Sequence, residues 1–258
     1  MIASVKRALG PENVFGLNFV RAVRSIQGIP KLVHDSIQYN RQGPPPSFQL
    51  RLRQLWPMLV DHRGNAGTAK GHYFHQDLWA ARKIFRRRPA RHLDIGSRID
   101  GFIAHLLVFM EVDVVDLLAL DGTVKGLRFQ QGDATSLTNV PSNTVVSLSS
   151  LHAAEHFGLG RYSDAVDPWG HVKFMNSLER TLSPGGTLYF SVPIGRQRLE
   201  FNAHRIFDVN TVLTQFKNLR LASFSYVDDA GDLHEDVSPF DVPKDTSSGC
   251  GLFEFTKD

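Results

Sequence analysis

The stretch His92-Leu93-Asp94-Ile95-Gly96-Ser97-Arg98-Ile99-Asp100-Gly101 decides the fold of this chain. Its first four residues have the length and apolar content of a short buried strand. Gly96 directly after them allows a tight turn. From Ile99 to Phe109 the apolar residues then recur at helical spacing. A strand, a turn and a helix in this order predict the start of an alternating α/β domain.

The alternation continues towards the C-terminus. The predicted strands are Val112 to Val115, Leu127 to Gln131, Thr144 to Ser149, Thr187 to Val192, Leu221 to Val227 and Leu252 to Phe255. Helices are predicted from Val172 to Leu182, closed by Ser183-Pro184-Gly185-Gly186, and from Asn210 to Phe216. Short connections between these segments indicate a mostly parallel sheet with helices on both faces. The last two strands lack a crossover helix between them, which predicts an antiparallel hairpin at one edge.

The N-terminal part has a different pattern. Residues 1–70 are predicted to form a basic helical extension, and residues 71–258 the α/β domain. Apolar residues recur at helical spacing between Glu12 and Gln27. Pro30 is expected to break this pattern, and Leu32, Val33 and Ile37 restart it. A further helix is predicted from about His75 to Arg87.

The charge is split along the chain. The formal net charge is +3, but residues 1–91 hold 16 basic and 4 acidic side chains, and residues 92–258 hold 13 and 22. The chain is therefore not a uniformly basic nucleic-acid binder. We expect the basic segment to pack on the acidic part or on a second copy in a homo-oligomer. A peripheral contact with an anionic membrane ranks second. Nucleic acid ranks third, because aromatic and basic residues do not interleave.

The cysteine content indicates the cellular compartment of the protein. Cys250 is the only cysteine, which excludes an internal disulfide, and we take it to exclude a thiolate zinc site as well. We expect a cytoplasmic protein, with the basic segment able to reach the inner membrane face. No apolar run approaches 18 residues, and the first residues lack the apolar stretch of a signal peptide.

Polar residues follow the carboxyl ends of the predicted strands, where open parallel sheets bind their ligands. Gly96 allows the backbone to approach a ligand closely. Asp116, after the second strand, can accept both hydroxyls of a ribose. Asp133, after the third, can accept from an adenine amino group. Each residue can also be an ordinary turn former.

The order Asp94-x-Gly96, Asp116, Asp133 and then Ser183-Pro184-Gly185-Gly186 resembles class I S-adenosylmethionine-dependent methyltransferases over roughly residues 90–258. The resemblance implies their Rossmann-like sheet and S-adenosylmethionine as cofactor. The cofactor-binding residues that it implies are Asp94, Gly96, Ser97, Arg98, Gly101, Asp116, Asp133, Ala134 and His75. His75 belongs to the segment Gly71-His72-Tyr73-Phe74-His75-Gln76, which in such enzymes often folds over the cofactor but could instead be a packed aromatic cluster.

A closer resemblance covers residues 70–230. The strings GHYFHQDLWAARKIF, DIGSRIDGFIAHL, SLSSLHAAEHFGLGRY and FNAHRIFD are similar to a methyltransferase-like family usually described only as a domain of unknown function. That family is often met in surface-polysaccharide gene neighbourhoods. The resemblance implies O-methylation of a sugar or glycan.

The glycine loop departs from the family pattern. Arg98 and Asp100 stand where the usual loop has glycines. They either pair with each other, or one of them contacts the methionine part of the cofactor. The departure favours an alternative function, a non-catalytic scaffold of the polysaccharide machinery that keeps the fold. A nucleic-acid methyltransferase is the third hypothesis.

Candidate catalytic residues follow the fourth strand. His152 and His156 are four residues apart, so a helix would place them on one face with Glu155 beside them. A histidine held by a carboxylate is a candidate general base. Glu155 and His156 could instead only order the following loop. His204, after the fifth strand, is a second candidate.

The same segment matches the H-x-x-E-H zinc-peptidase signature. That motif requires an active-site helix, whereas here it follows a strand, so we predict no metal ligands. A divalent metal held by Asp164 or Asp167 with a histidine is the less favoured alternative. Both acids could equally be loop residues.

Overall fold

The computed structural model describes residues 13–14, 17–59, 61 and 66–258. The chain forms two compact units, Met1–Thr68 and Ala69–Asp258. The elements of the first are strands β1 (Asn13–Val14) and β2 (Leu17–Asn18), helix α1 (Phe19–Arg41) and two 3-10 turns, Pro46–Phe48 and Leu52–Gln54. Among the described residues, no helix has the length and apolar character needed to cross a membrane.

Helix α1 differs from the prediction at both ends. Glu12, where the predicted helix began, lies outside the described residues, and the helix continues through Pro30 to Arg41. A proline removes one N–H and crowds one carbonyl, but it leaves the other bonds of the helix available. Beyond it, Lys31 pairs with Asp35 one turn later. The predicted break at Pro30 is therefore wrong, whereas the helical pattern predicted beyond it lies within the same helix.

The second unit holds the α/β domain. Its helices are α2 (His72–Arg87), α3 (Ala104–Leu107), α4 (Gly170–Thr181) and α5 (Val209–Gln215), with a π-helical turn at Ile99–Ile103 and a 3-10 turn at Pro239–Asp241. Its strands are β3 (His92–Ile95), β4 (Val112–Asp116), β5 (Leu127–Gln131), β6 (Val145–Leu151), β7 (Leu182–Ile194), β8 (Arg198–Glu200), β9 (His204–Ile206), β10 (Arg220–Val227), β11 (Leu233–His234) and β12 (Gly249–Thr256).

Eight of these strands form one sheet in the order β11-β10-β12-β7-β6-β3-β4-β5. Strands β5, β4, β3, β6 and β7 run parallel to one another. Strand β12 lies antiparallel between β7 and β10, and β11 pairs with β10. The mostly parallel sheet with an antiparallel edge is confirmed. The carboxyl ends of β3, β4 and β6 therefore open at one edge of the sheet.

Each face of the sheet buries its own apolar cluster. On one face Phe174 and Leu178 of α4 pack with Phe190 of β7. On the other, Trp79 of α2 packs with Tyr189, also of β7. Alternate residues of strand β7 thus contribute their side chains to the two clusters. Burying side chains of this size contributes about 1.5–3 kcal/mol each, so the sheet is held firmly between its helices.

The segment Ser183-Pro184-Gly185-Gly186 does not form the predicted closing turn between a helix and a strand. It lies inside β7, where Val145 of β6 pairs with Leu182 and Ser147 pairs with Thr187, so the segment bulges out of the ladder. The N–H of Gly185 donates to the Lys257 carbonyl, and the N–H of Lys257 donates to Gly186. These bonds to the chain end after β12 keep the bulge within the sheet.

A buried carboxylate joins the last turns of α2 to the sheet. Glu254 of β12 is 6% exposed and accepts hydrogen bonds from Lys83 Nζ (2.9 Å), Arg87 (2.8 Å) and Ser223 Oγ (2.8 Å). Burial raises the pKa of Glu254, but these hydrogen bonds outweigh it, so the pKa lies below its usual value. The carboxylate is therefore charged and paired at neutral pH.

Replacing Glu254 by alanine should lower the free energy of unfolding by about 3–5 kcal/mol, because Lys83 loses its buried partner and keeps only the exposed Asp236 at 3.8 Å. Urea unfolding measures the change. Glu235→Ala, at an exposed carboxylate, is the matched control and should change it by less than about 0.5 kcal/mol. Equal effects of the two substitutions would contradict the assignment.

Candidate functional site

A cavity of about 400 Å³ lies beyond the carboxyl ends of β3, β4 and β6. The predicted site residues on its wall are Gly96, Ser97, Arg98, Asp116, Ala134, His152 and His156. The remaining predicted residues, which are not part of the wall, are Asp94, Gly101, Asp133, His75, Glu155 and His204. The sheet thus brings together residues that are up to 60 positions apart in the sequence.

The side chain of Asp94 holds the turn after β3 in place. This carboxylate is fully buried and accepts hydrogen bonds from the Ser97 N–H (3.0 Å), the Ser97 hydroxyl (2.6 Å) and the Ser149 hydroxyl. Burial raises the pKa of Asp94 to about 6. Asp94 therefore shapes the turn that lines the cavity.

Gly96 forms the tightest part of that turn. Its φ of +72° is in the left-handed region, and its N–H donates to the Val115 carbonyl. A Cβ at this position would lie 3.1 Å from the Cβ of Ala153. A glycine is therefore needed both for the backbone angle and for the close approach of the segment after β6.

The two residues that replace loop glycines pair with each other. The Arg98 guanidinium lies 3.2 Å from the Asp100 carboxylate, which is the first of the two predicted alternatives. The Cζ atom of Arg98 also lies 4.8 Å from the centre of the Tyr73 ring. Gly101 packs against α2, where a Cβ would come within 2.3 Å of Asp77 Oδ2. Gly101 thus allows α2 to approach the loop.

The acids after β4 and β5 differ in position. Asp116 lines the cavity, and its Oδ1 accepts from the Leu118 N–H at 2.8 Å. Burial raises its pKa. Asp133 is exposed and is bonded to the N–H (2.8 Å) and hydroxyl (2.6 Å) of Thr135. Its neighbour Ala134 forms part of the wall instead.

Helix α2 begins three residues before its predicted start, which changes the residues it presents to the site. Tyr73 lines the cavity, and His72 and Tyr73 each place a ring centre 5.4 Å from that of His152. The ring of the predicted His75 instead contacts Phe74 at 5.3 Å. Sequence reasoning missed His72 and Tyr73, although the aromatic run that contains them was the right signal.

His152 lies in a bend after β6 and residues 154–158 form turns, so no helix places His152 and His156 on one face. The φ of His152 is +53°, which is incompatible with a right-handed helix. The His152 N–H donates to the carbonyl of Ser191 on β7 at 3.0 Å. Both histidines nevertheless lie on the cavity wall.

Glu155, His156 and His204 lie together. The Oε1 atom of Glu155 is 3.7 Å from His156 Nε2, and the His156 and His204 ring centres are 6.4 Å apart. Glu155 is 1% exposed, and its Oε2 has no hydrogen-bond partner among the described residues. Burial raises the pKa of Glu155 to about 8. This carboxyl group is therefore largely protonated at neutral pH.

His156 is held in one tautomer. Its Nδ1 lies 2.8 Å from the Ala203 carbonyl oxygen, so Nδ1 must carry the proton and donate it. The second nitrogen, Nε2, then keeps its lone pair. Burial, opposed by that hydrogen bond, lowers the pKa of His156 to about 4. A neutral imidazole with a free Nε2 can accept a proton from a bound molecule.

The two acids of the loop after His156 serve the loop itself. Asp164 accepts from the Gly158 N–H (2.8 Å) and the Tyr162 N–H (3.2 Å). Asp167 accepts from the Trp169 N–H and pairs with a lysine. Local bonds thus occupy both carboxylates, which favours the loop interpretation over a magnesium site.

Comparisons with known proteins agree with this architecture. Residues 141–238, less than half of the chain, match the family described as "Caenorhabditis protein of unknown function, DUF268". That segment contains His152, Glu155, His156 and His204, but neither Gly96 nor Asp116. No curated protein matches the sequence.

Solved structures with a similar fold include enzymes of more than one kind. One is the Burkholderia thailandensis 1,6-didemethyltoxoflavin-N1-methyltransferase with bound S-adenosylhomocysteine (16% identity, TM-score 0.51, 71% of this chain and 79% of that chain). Another is a putative sarcosine dimethylglycine methyltransferase from Galdieria sulphuraria (13%, 0.51, 71% and 85%). A third is the [4+2]-cyclase SpnF (14%, 0.51, 88% and 93%). These likenesses show the Rossmann-like fold of methyltransferases.

Replacing Glu155 by glutamine should stabilise the protein increasingly as the pH rises. A carboxyl with a pKa raised from 4.5 to about 8 keeps its proton in the folded state after the unfolded chain has lost it. Stability from this group therefore falls by up to about 1.4 kcal/mol per pH unit within that window. The Glu155→Gln variant has no ionisable group at this position, so its free energy of unfolding does not fall in this way.

Urea unfolding of both proteins between pH 6.5 and 8 measures the difference, because the lowered pKa values of His152 and His156 leave both histidines neutral there. Glu235→Gln, at an exposed carboxyl, should show no such trend. A constant gap between Glu155→Gln and the wild type would mean that Glu155 is ionised in the folded protein.

Proposed function

We propose that this chain is an S-adenosylmethionine-dependent methyltransferase that methylates a hydroxyl group. The observation that carries the proposal is the placement of Gly96 and Asp116 at the ends of two neighbouring parallel strands, on the wall of one cavity. The similar Burkholderia enzyme holds S-adenosylhomocysteine. The sequence resemblance to class I methyltransferases supports the same cofactor.

The residues of the cavity fit a nucleoside. The carboxylate of Asp116 can accept from ribose hydroxyls. Leu117, Phe129 and Ala134 offer apolar contact for a purine ring. The glycine at position 96 lets the backbone approach without a side chain between. A volume of about 400 Å³ lies within the range of small-molecule sites.

Adenosylmethionine supplies an activated methyl group when it is bound. The task left to the chain is to orient an acceptor hydroxyl and remove its proton. His156 is the residue best placed for this, because Nε2 is unprotonated and the residue lies on the cavity wall. Glu155 and His204 act as positioning residues in this proposal, since neither lies on the wall.

The acceptor class that we propose is a sugar or glycan of surface-polysaccharide synthesis. Its support is the resemblance of residues 70–230 to a family met in such gene neighbourhoods. Carbohydrate hydroxyls lose their protons only at high pH, so their methylation needs a base such as His156.

A second candidate function is a binding or scaffold protein that keeps the fold without methyl transfer. The Arg98–Asp100 ion pair favours it, because it stands where the glycines of the usual loop would be. The [4+2]-cyclase among the similar structures is a further reason to test the reaction and not only the cofactor.

Calorimetry with S-adenosylhomocysteine should show one site per chain. Asp116→Ala should weaken binding about 10- to 100-fold, which corresponds to the loss of about 1.4–3 kcal/mol in hydrogen bonds to a charged group. Asp121→Ala, at an exposed acid that does not line the cavity, is the matched control. If neither adenosylmethionine nor adenosylhomocysteine binds the wild type at about 1 mM, the methyltransferase proposal fails.

His156→Ala should lower turnover about 10²- to 10⁴-fold and change the cofactor affinity little, because it removes the proton acceptor. The assay is adenosylhomocysteine formation with a panel of nucleoside-diphosphate sugars. His75→Ala, at a histidine away from the cavity wall, should keep its turnover. Undiminished turnover of His156→Ala would remove it from the catalytic residues.

A further inference from the structure

We propose that His72, His152 and Cys250 form a binding site for one zinc-class metal ion. The three side chains come from the start of α2, the end of β6 and the start of β12. Each can offer one ligand atom, and the three atoms lie within 4.8 Å of one another. This proposal departs from the sequence-based prediction of no metal ligands, and it does not depend on cofactor binding or methyl transfer.

One pair of ligand atoms is already close to the spacing of a zinc site. Cys250 Sγ lies 3.8 Å from His152 Nδ1. Zinc bonds of about 2.0 Å to nitrogen and about 2.3 Å to sulfur, arranged tetrahedrally, place such a pair about 3.5 Å apart. The His72 and His152 ring centres are 5.4 Å apart. A shift of well under 1 Å would thus bring sulfur and nitrogen to ligand spacing.

The protein leaves His152 without a strong hydrogen bond. Its Nδ1 is 3.3 Å from Ser191 Oγ, and that hydroxyl already donates to Gln76 Oε1 at 2.7 Å. Its Nε2 is buried and has no partner among the described residues. A metal ion bound at Nδ1, the nitrogen nearest to Cys250 Sγ, would use a lone pair to which no strong donor is directed, and the ring proton would then lie on Nε2.

The backbone supports the same placement. His152 adopts a φ of +53°, which is costly for a residue with a side chain, and its N–H is tied to Ser191 on β7. Strain of this kind persists where the surrounding structure holds a side chain in place. Cys250 is fully buried, and its β12 position pairs with Pro193. Cys250 therefore stands in the sheet, and His152 directly follows β6 and is bonded to β7.

The ligand set indicates the kind of metal. Imidazole and thiolate together suit zinc more than magnesium or calcium, which prefer oxygen. Three protein ligands with an open fourth position are typical of reactive zinc sites. Because His72 and His152 are only partly buried, an ion can reach the site. Binding would release the Cys250 thiol proton, since the thiolate is the ligand.

Cobalt(II) titration of the untagged, chelator-treated protein tests the proposal, with Co²⁺ as the probe and Zn²⁺ as the competitor. Since Cys250 is the only cysteine of the chain, a thiolate-to-cobalt charge-transfer band can come from no other residue. We expect the band at one equivalent and its loss when zinc is added. Absence of the band in the wild type would overturn the proposal.

Variants identify the ligands. Cys250→Ser should lose the band, and His72→Ala and His152→Ala should each weaken cobalt binding at least 10-fold. His75→Ala, on the same helix but away from the three ligands, should bind like the wild type. Unchanged affinity in both His72→Ala and His152→Ala would overturn the ligand set. His72→Ala, at a partly exposed position, keeps the test valid if substitutions at Cys250 impair folding.

Discussion

The buried carboxylate of Asp94 is the interaction on which the site depends. It lies at the end of β3 and accepts hydrogen bonds from the turn that follows and from Ser149 on β6. The central strand, the loop at the cavity wall and the neighbouring strand are thereby held by one group. Its burial is tolerated because several donors satisfy it. Gly96 can take its left-handed turn against Ala153 only because this arrangement holds both segments together.

The ionisable groups near the cavity are set by burial. Glu155 keeps its proton, whereas His152 and His156 stay neutral, since each is removed from water without an opposite charge close enough to compensate. The cavity wall therefore carries the neutral histidines His152 and His156 together with the acid Asp116, while the protonated Glu155 lies behind His156.

Much of the architecture could be predicted from local patterns. The strand from Leu127 to Gln131 has the predicted bounds, because apolar and polar residues alternate at its start and the turn formers Gly132-Asp133 follow it. The predictions for Pro30 and for the Ser183–Gly186 segment were wrong, and the helical face considered for His152 and His156 does not form. In each case the local conformational preference of a residue is outweighed by bonds to distant parts of the chain or by the continuation of a helix.

The sequence by itself determined the alternating α/β order and the positions of Gly96 and Asp116 at strand ends, because hydrophobic periodicity and turn chemistry act over a few residues. Only the tertiary structure decided which side chains meet. It sends Asp94 inward, leaves Asp133 exposed and brings His72, His152 and Cys250 within 4.8 Å of one another. These outcomes depend on the strand order, which places β12 beside β7. Pairing between strands so far apart in the chain is set by packing of the whole sheet and leaves no local signal.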